Sequence, residues 1–197
     1  LTNLNVVFLT SLVGPFGTFA LAGYGIGARL EYLQIPLVFG FGSALVTMVG
    51  TNIGAGHLAR AQRVAWVGAG LAAAVTGSIG LLAACFPQLW LGLFSTNPDV
   101  LTVGATYLRI VGPTYACFGL GLALYFASQG AGRLLWPLLA GGVRLVIAAG
   151  GGWIAIRWYA GGLPTLFTAI AVALIAYATV VAGAMKADAW RARTPVT

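Results

Sequence analysis

Acidic side chains are nearly missing from this sequence. It has three, Glu31, Asp99 and Asp188, against ten lysines and arginines, and charged residues of both signs make up 7% of the 197 positions. A soluble domain carries about 25% charged residues. A chain this poor in charge cannot cover a water-facing surface, so lipid must be the solvent for most of it. Histidine occurs once, as His57 in a connector, and cysteine twice, as Cys85 and Cys117 in apolar runs. Neither cysteine has CxxC or metal-ligand spacing, so no metal site is expected and both read as small buried hydrophobes. GxSxG and HExxH patterns and a Cys/His pair are absent, and a Ser/His/Asp set cannot be built around the lone connector histidine. No enzyme and no cofactor is expected. There is also no basic leader with a cleavage site. The opening residues LTNLNVVFLTSLVG already read as membrane segment, which is the look of a fragment beginning inside or just before a helix.

The net charge of +7 raises the question of nucleic acid. That reading needs basic residues gathered on one exposed face. Here they stand at the ends of apolar runs or alone within them, so no nucleic-acid partner is expected.

What is present is apolar sequence. Hydrophobic residues make up 60% of the chain and mean hydropathy is +0.96. Six spans follow, at roughly 1–21, 22–50, 64–86, 100–127, 134–156 and 163–185, with a polar tail at 188–197. Continuous apolar runs above about 20 residues predict transmembrane helices; barrel strands are shorter and alternate. The expected fold is therefore an all-α integral membrane protein. The second and fourth spans are long, so they should tilt or bend, and Pro36 and Pro113 are the expected kinks. Asn97-Pro98-Asp99 carries turn and capping chemistry ahead of the fourth span.

Basic residues set the orientation. One set of connectors holds Arg60, Arg63, Arg133, Lys186, Arg191 and Arg193; the other holds Arg157 alone. By the positive-inside rule the first set, with the C-terminus, is cytoplasmic. Trp90, Trp136, Trp153, Trp158 and Trp190 fall near span ends, where interfacial aromatics belong. The 29 glycines, including Gly23, Gly25, Gly27 and the Gly150–Gly152 run, favour close helix approach. A dinucleotide reading of them lacks the strand, the helix and the downstream acid it needs.

Asp99 and Asp188 lie in a loop and the tail, as caps or surface charges. Glu31 lies about nine residues inside the second span, roughly 14 Å from its outer end. An ionisable group at that depth is a functional-site candidate. Counting along the antiparallel spans puts Arg109 and Arg144 in the same layer, with Arg29 a half-turn above on another face. Two roles fit: a proton or cation site tuned by arginines, or a structural ion pair pinning helices together. Three arginines against one acid leave positive charge to be met by other chain, lipid phosphate or water, unless the arginines snorkel. Further polar groups within spans are Asn3, Asn5, Gln34, Thr114, Tyr115, Tyr125, Ser128 and Gln129, able to line a cavity or to bond between helices.

The stretch ALAGYGIGARLEYLQIPLVFGFGSALVTMVGTNIGAGHLARAQR resembles the seventh-to-eighth helix region of the multidrug and toxic compound extrusion (MATE) transporters. Its mark is a glycine-rich, proline-kinked helix ending in the turn Val49-Gly50-Thr51-Asn52-Ile53-Gly54-Ala55-Gly56, followed by a basic segment. The segment GLALYFASQGAGRLLWPLLAGGVR is similar to the tenth-to-eleventh helix connection of that family. The resemblance implies one six-helix C-terminal lobe, residues 1–187, of a twelve-helix transporter. Its partner is then an N-terminal six-helix lobe, its surroundings the bilayer of the cell inner membrane, and its mechanism alternating access. It implies export of small organic cations or drugs against inward proton or sodium flow. One branch of the family carries C-lobe acids at positions that fall near Thr2 and Gly119, neither acidic here; another couples through an N-lobe aspartate. Glu31 has no counterpart among those coupling residues and is nominated by depth. Two other readings stay open: a lipid-linked-sugar flippase of the same superfamily, which intramembrane arginines would suit, and a non-transporting half-protein.

Overall fold

A computed structural model describes residues 2–158 and 162–186. Arg157 and Trp158 (side chains), Asp188, Trp190, Arg191 and Arg193 lie outside what is described. The described residues form nine α-helices: α1 (Thr2–Val13), α2 (Thr18–Gly54), α3 (Leu58–Cys85), α4 (Pro87–Leu91), α5 (Pro98–Val111), α6 (Tyr115–Gly130), α7 (Leu135–Leu145), α8 (Gly152–Trp158) and α9 (Leu163–Lys186). Five helical segments are long and apolar enough to cross a membrane, counting α5–α6 as one and α7–α8 as one, and a sixth, within the first 16 residues, is shorter.

The first expected span does not run unbroken to Leu21. A 3-10 turn at Gly14–Phe16 and Gly17 at φ 98° end α1 and start α2 at Thr18. Pro15 removes a backbone donor, and glycine adopts the left-handed φ that other residues resist. Pro36 leaves α2 a single helix of 37 residues, about 55 Å long at 1.5 Å per residue and well beyond the hydrocarbon thickness. Pro113 does interrupt its span: a 3-10 turn at Gly112–Thr114 divides α5 from α6. At the head of α5 the Asn97 side chain accepts a hydrogen bond from the Asp99 amide at 2.9 Å, which caps the helix.

Small residues decide the packing. A Cβ on Gly23 would meet the Val100 carbonyl at 2.6 Å, and one on Gly80 would run into the Gly112 carbonyl. Gly119 lies against the Thr76 side chain and Gly130 against the Val46 carbonyl. These contacts lay α2 parallel to α5–α6, with α3 antiparallel to both. Lipid offers no hydrophobic gain for helix association, so close van der Waals approach at such residues must supply it. Helix α9 closes the bundle, with Phe167 edge-on to Tyr107 at 5.2 Å and stacked on Tyr24 at 6.3 Å.

The two segments that carry the family resemblance meet in space. Gly54-Ala55-Gly56 ends α2 and Gly130-Ala131-Gly132 ends α6, with Gly56 at φ 75° and Gly132 at φ 69°. His57 N–H donates to the Asn52 carbonyl at 2.8 Å and Arg133 N–H to that of Ser128 at 2.9 Å. Both are helix ends of the Schellman type. Gly50 packs on the Gly130 carbonyl, so the turns sit side by side.

Two expectations need correction. Trp90 is more than an interfacial anchor: its indole N–H donates to the Ile26 carbonyl at 2.9 Å and holds α4 against α2. The cysteines are not buried hydrophobes, since Cys85 is exposed at the end of α3 and Cys117 is half-buried.

Candidate functional site

Along α2 the buried stripe runs through Gly23, Gly27, Glu31, Gln34, Val38, Gly42, Leu45 and Val49. Steps of three and four keep these on one side of a 3.6-residue helix. Glu31 therefore points into the bundle and is 9% exposed. Arg144, in the last turn of α7, reaches it and donates from a guanidinium nitrogen to Glu31 Oε1. The Arg144 guanidinium also lies 5.5 Å from the centre of the Phe118 ring, within the range of a cation–π contact.

The pair borders a cavity of about 360 Å³. Helix α2 supplies Glu31 and Ile35, α6 Phe118, Leu122 and Tyr125, α7 Pro137, Leu138 and Gly141, and α9 Tyr177. One ion pair in a mostly apolar, aromatic wall is the usual make-up of a small-molecule site, and the volume falls in the usual range. Tyr125 also lines a second cavity, of about 500 Å³, with Phe39, Ser43, Val46, Phe126 and Gln129. The chain after Arg144 leaves α-geometry: Val146–Gly151 is π-helical before α8 begins. Such segments are frequent at functional sites.

The other residues singled out in the sequence do not all gather here. Arg109 is exposed, on the same side of α5 as exposed Thr102 seven residues earlier. Arg29 is exposed too and sits 5.7 Å over the Phe94 ring. Gln34 is buried one turn below Glu31; its amide donates to the Leu30 carbonyl at 3.3 Å, while its Oε1 has no partner among the described residues. Tyr115 is fully buried, its hydroxyl without a hydrogen-bond partner of ordinary geometry among the described residues. Gln129 belongs to the second cavity. The Asn5 side chain lies outside the described residues. Phe118 and Tyr177 were missed by the sequence reading. Tyr177 is the one tyrosine of the last span, a faint signal; Phe118 has none.

A model of the MatE family matches residues 1–154. The chain belongs to that family. The probable multidrug resistance protein YoeA of Bacillus subtilis is 29% identical over 138 residues, which cover 70% of this chain and 30% of the relative. The probable multidrug resistance protein NorM of Thermotoga maritima is 24% identical over 137 residues, 68% of this chain and 29% of the relative. The chain thus spans about 30% of the length of these curated relatives. A crystal structure of the Vibrio cholerae MATE transporter VcmN in the bent form superposes with a TM-score of 0.83 at 20% identity, covering 97% of this chain and 44% of that one. At that identity the likeness is one of fold: this MatE chain is an all-α, multi-pass membrane protein with the architecture of one six-helix lobe. A Cβ added at Gly119 would collide with the Thr76 side chain.

Proposed function

We propose that this MatE chain forms the cavity-bearing lobe of a cation-coupled antiporter, paired with a second six-helix lobe and exporting small organic cations by alternating access. The single supporting observation is the Glu31 carboxylate, set in an aromatic cavity among membrane helices. A buried ion pair is often no more stabilising than apolar residues of the same volume, so stability alone is a poor reason to keep one here. Intramembrane ionisable groups more often mark a transport path. Phe118, Tyr125 and Tyr177 supply faces that attract an aromatic or quaternary cation, and Glu31 supplies the counter-charge. The basic connectors favour a cytoplasmic position for the ends of α2 and α6, and a bacterial cell would carry the protein in its inner membrane.

A lipid-linked-sugar flippase has less support. It drew on three intramembrane arginines, whereas Arg29 and Arg109 are exposed on other faces and Arg144 is matched by Glu31.

The test is transport of tetraphenylphosphonium by the complete protein in proteoliposomes, with proton and sodium gradients imposed separately. Accumulation driven by one gradient and abolished by its collapse is expected. Movement indifferent to both gradients would remove the antiport reading.

A further inference from the structure

The one carboxylate in the cavity wall is already held by a side chain of the protein itself. We propose that Arg144 is a tethered competitor for Glu31: it holds the carboxylate when the cavity is empty, and a ligand cation must displace it. This rests on the organic-cation reading above and adds how the site admits and rejects its ligand.

Four observations carry it. Arg144 makes its ion pair with the one carboxylate that lines the cavity, and it lines that cavity too. A cation in this cavity therefore meets a carboxylate whose Oε1 is already held by Arg144. Next, Arg144 has somewhere to go: the Phe118 ring already lies 5.5 Å from its guanidinium. A guanidinium released from the carboxylate keeps that cation–π contact, which lowers the cost of leaving a buried charge without its partner. Third, α7 packs against α9 and the π-helical segment, and lies opposite α2 across the cavity, so the ion pair bridges α2 and α7 there. Last, the π-helical segment Val146–Gly151 and Gly152 follow directly, with Ala148, Ala149, Gly150 and Gly151 as its small residues. Displacing Arg144 frees α7 to shift on that segment, so ligand entry and movement of one cavity wall become the same event.

The proposal fixes a ligand class. A displacing ligand needs a delocalised or quaternary cation, weakly hydrated enough to leave water, with aromatic or apolar substituents for Phe118, Tyr125 and Tyr177. Small hydrated inorganic cations do not match that wall.

The test is equilibrium binding of tetraphenylphosphonium to the complete protein in detergent. Arg144→Gln removes the competitor and keeps the carboxylate, so binding should tighten on the order of tenfold, the loss of about one charge-assisted contact. Arg144→Lys should stay near wild type, and Glu31→Gln should lose binding whether or not Arg144 is present. Unchanged or weaker binding in a monodisperse Arg144→Gln protein overturns the proposal, because that is what a purely structural ion pair predicts. Should that variant not fold, nitroxide labels at the exposed Leu33 and Leu139 test it on the native pair: tetraphenylphosphonium should broaden and lengthen the α2–α7 distance distribution, and an unchanged distribution overturns it. Tighter binding in Arg144→Gln without gradient-driven export by the wild type would support the competitor and sink the export reading; export with unchanged Arg144→Gln binding would do the reverse.

Discussion

Arg144 donates a hydrogen bond to Glu31 from 113 positions further along the chain, across a cavity whose other walls are apolar or aromatic. The same contact ties α2 to α7 where no small-residue seam does. Its loss should therefore matter to function before it matters to folding.

Replacing Glu31 by Gln in the complete protein should reduce drug resistance of expressing cells well below that of Asp99→Asn. Asp99 sits in the first turn of α5, where Asn97 already caps the helix. Dose–response curves for a cationic dye are the measurement, with expression levels matched. Equal resistance in both variants would take Glu31 out of the site.

The seam between α3 and the 3-10 turn at Gly112–Thr114 has no room to spare. Gly80→Ala places a Cβ against the Gly112 carbonyl and 2.9 Å from Tyr115 Cβ, both parts that cannot swing aside. A cost of about 1–3 kcal/mol is expected, read as a lower midpoint in thermal size-exclusion of the detergent-solubilised protein. Gly70→Ala on the same helix, with nothing within 4 Å, should leave the midpoint unchanged or slightly higher. A reversed order would mean that these glycines do not set the helix spacing.

Asn97→Ala should cost about 1 kcal/mol through loss of the side-chain bond to the Asp99 amide. Asn97→Asp, which keeps the acceptor, should recover most of it. If both variants melt together, the cap contributes nothing that the rest of the connector does not already supply.

A cysteine at exposed Thr51, in the last turn of α2, with Cys85 and Cys117 replaced by serine, should react with a membrane-impermeant maleimide only when the cytoplasmic face is open. Labelling of intact cells from outside would invert the whole arrangement of connectors, and with it the side from which the second cavity is reached.

Much of the architecture was legible in one dimension. Apolar runs longer than a bilayer crossing, joined by short connectors, can only be helices, because unpaired backbone groups are too costly in hydrocarbon. Pro113 and Asn97 announced a break and a cap. Pro36 lies inside a helix that stays continuous. Depth was also countable, which is how Glu31 and Arg144 came to share a layer before any contact was known.

What depth cannot supply is direction around the helix axis. Arg109 is on the outward side of α5, because Val100, Gly104, Ala105, Tyr107, Leu108 and Val111 claim the inward side. Membrane solvent, helix number and the level of each charge follow from composition and the 1.5 Å rise, which are local properties of the chain. Which arginine faces the carboxylate, and which aromatics enclose the space between them, depended on how close neighbouring helices can approach. That spacing is set by pairs such as Gly23 with Val100 and Gly80 with Gly112, far apart in sequence, and so it exists only once the bundle is assembled.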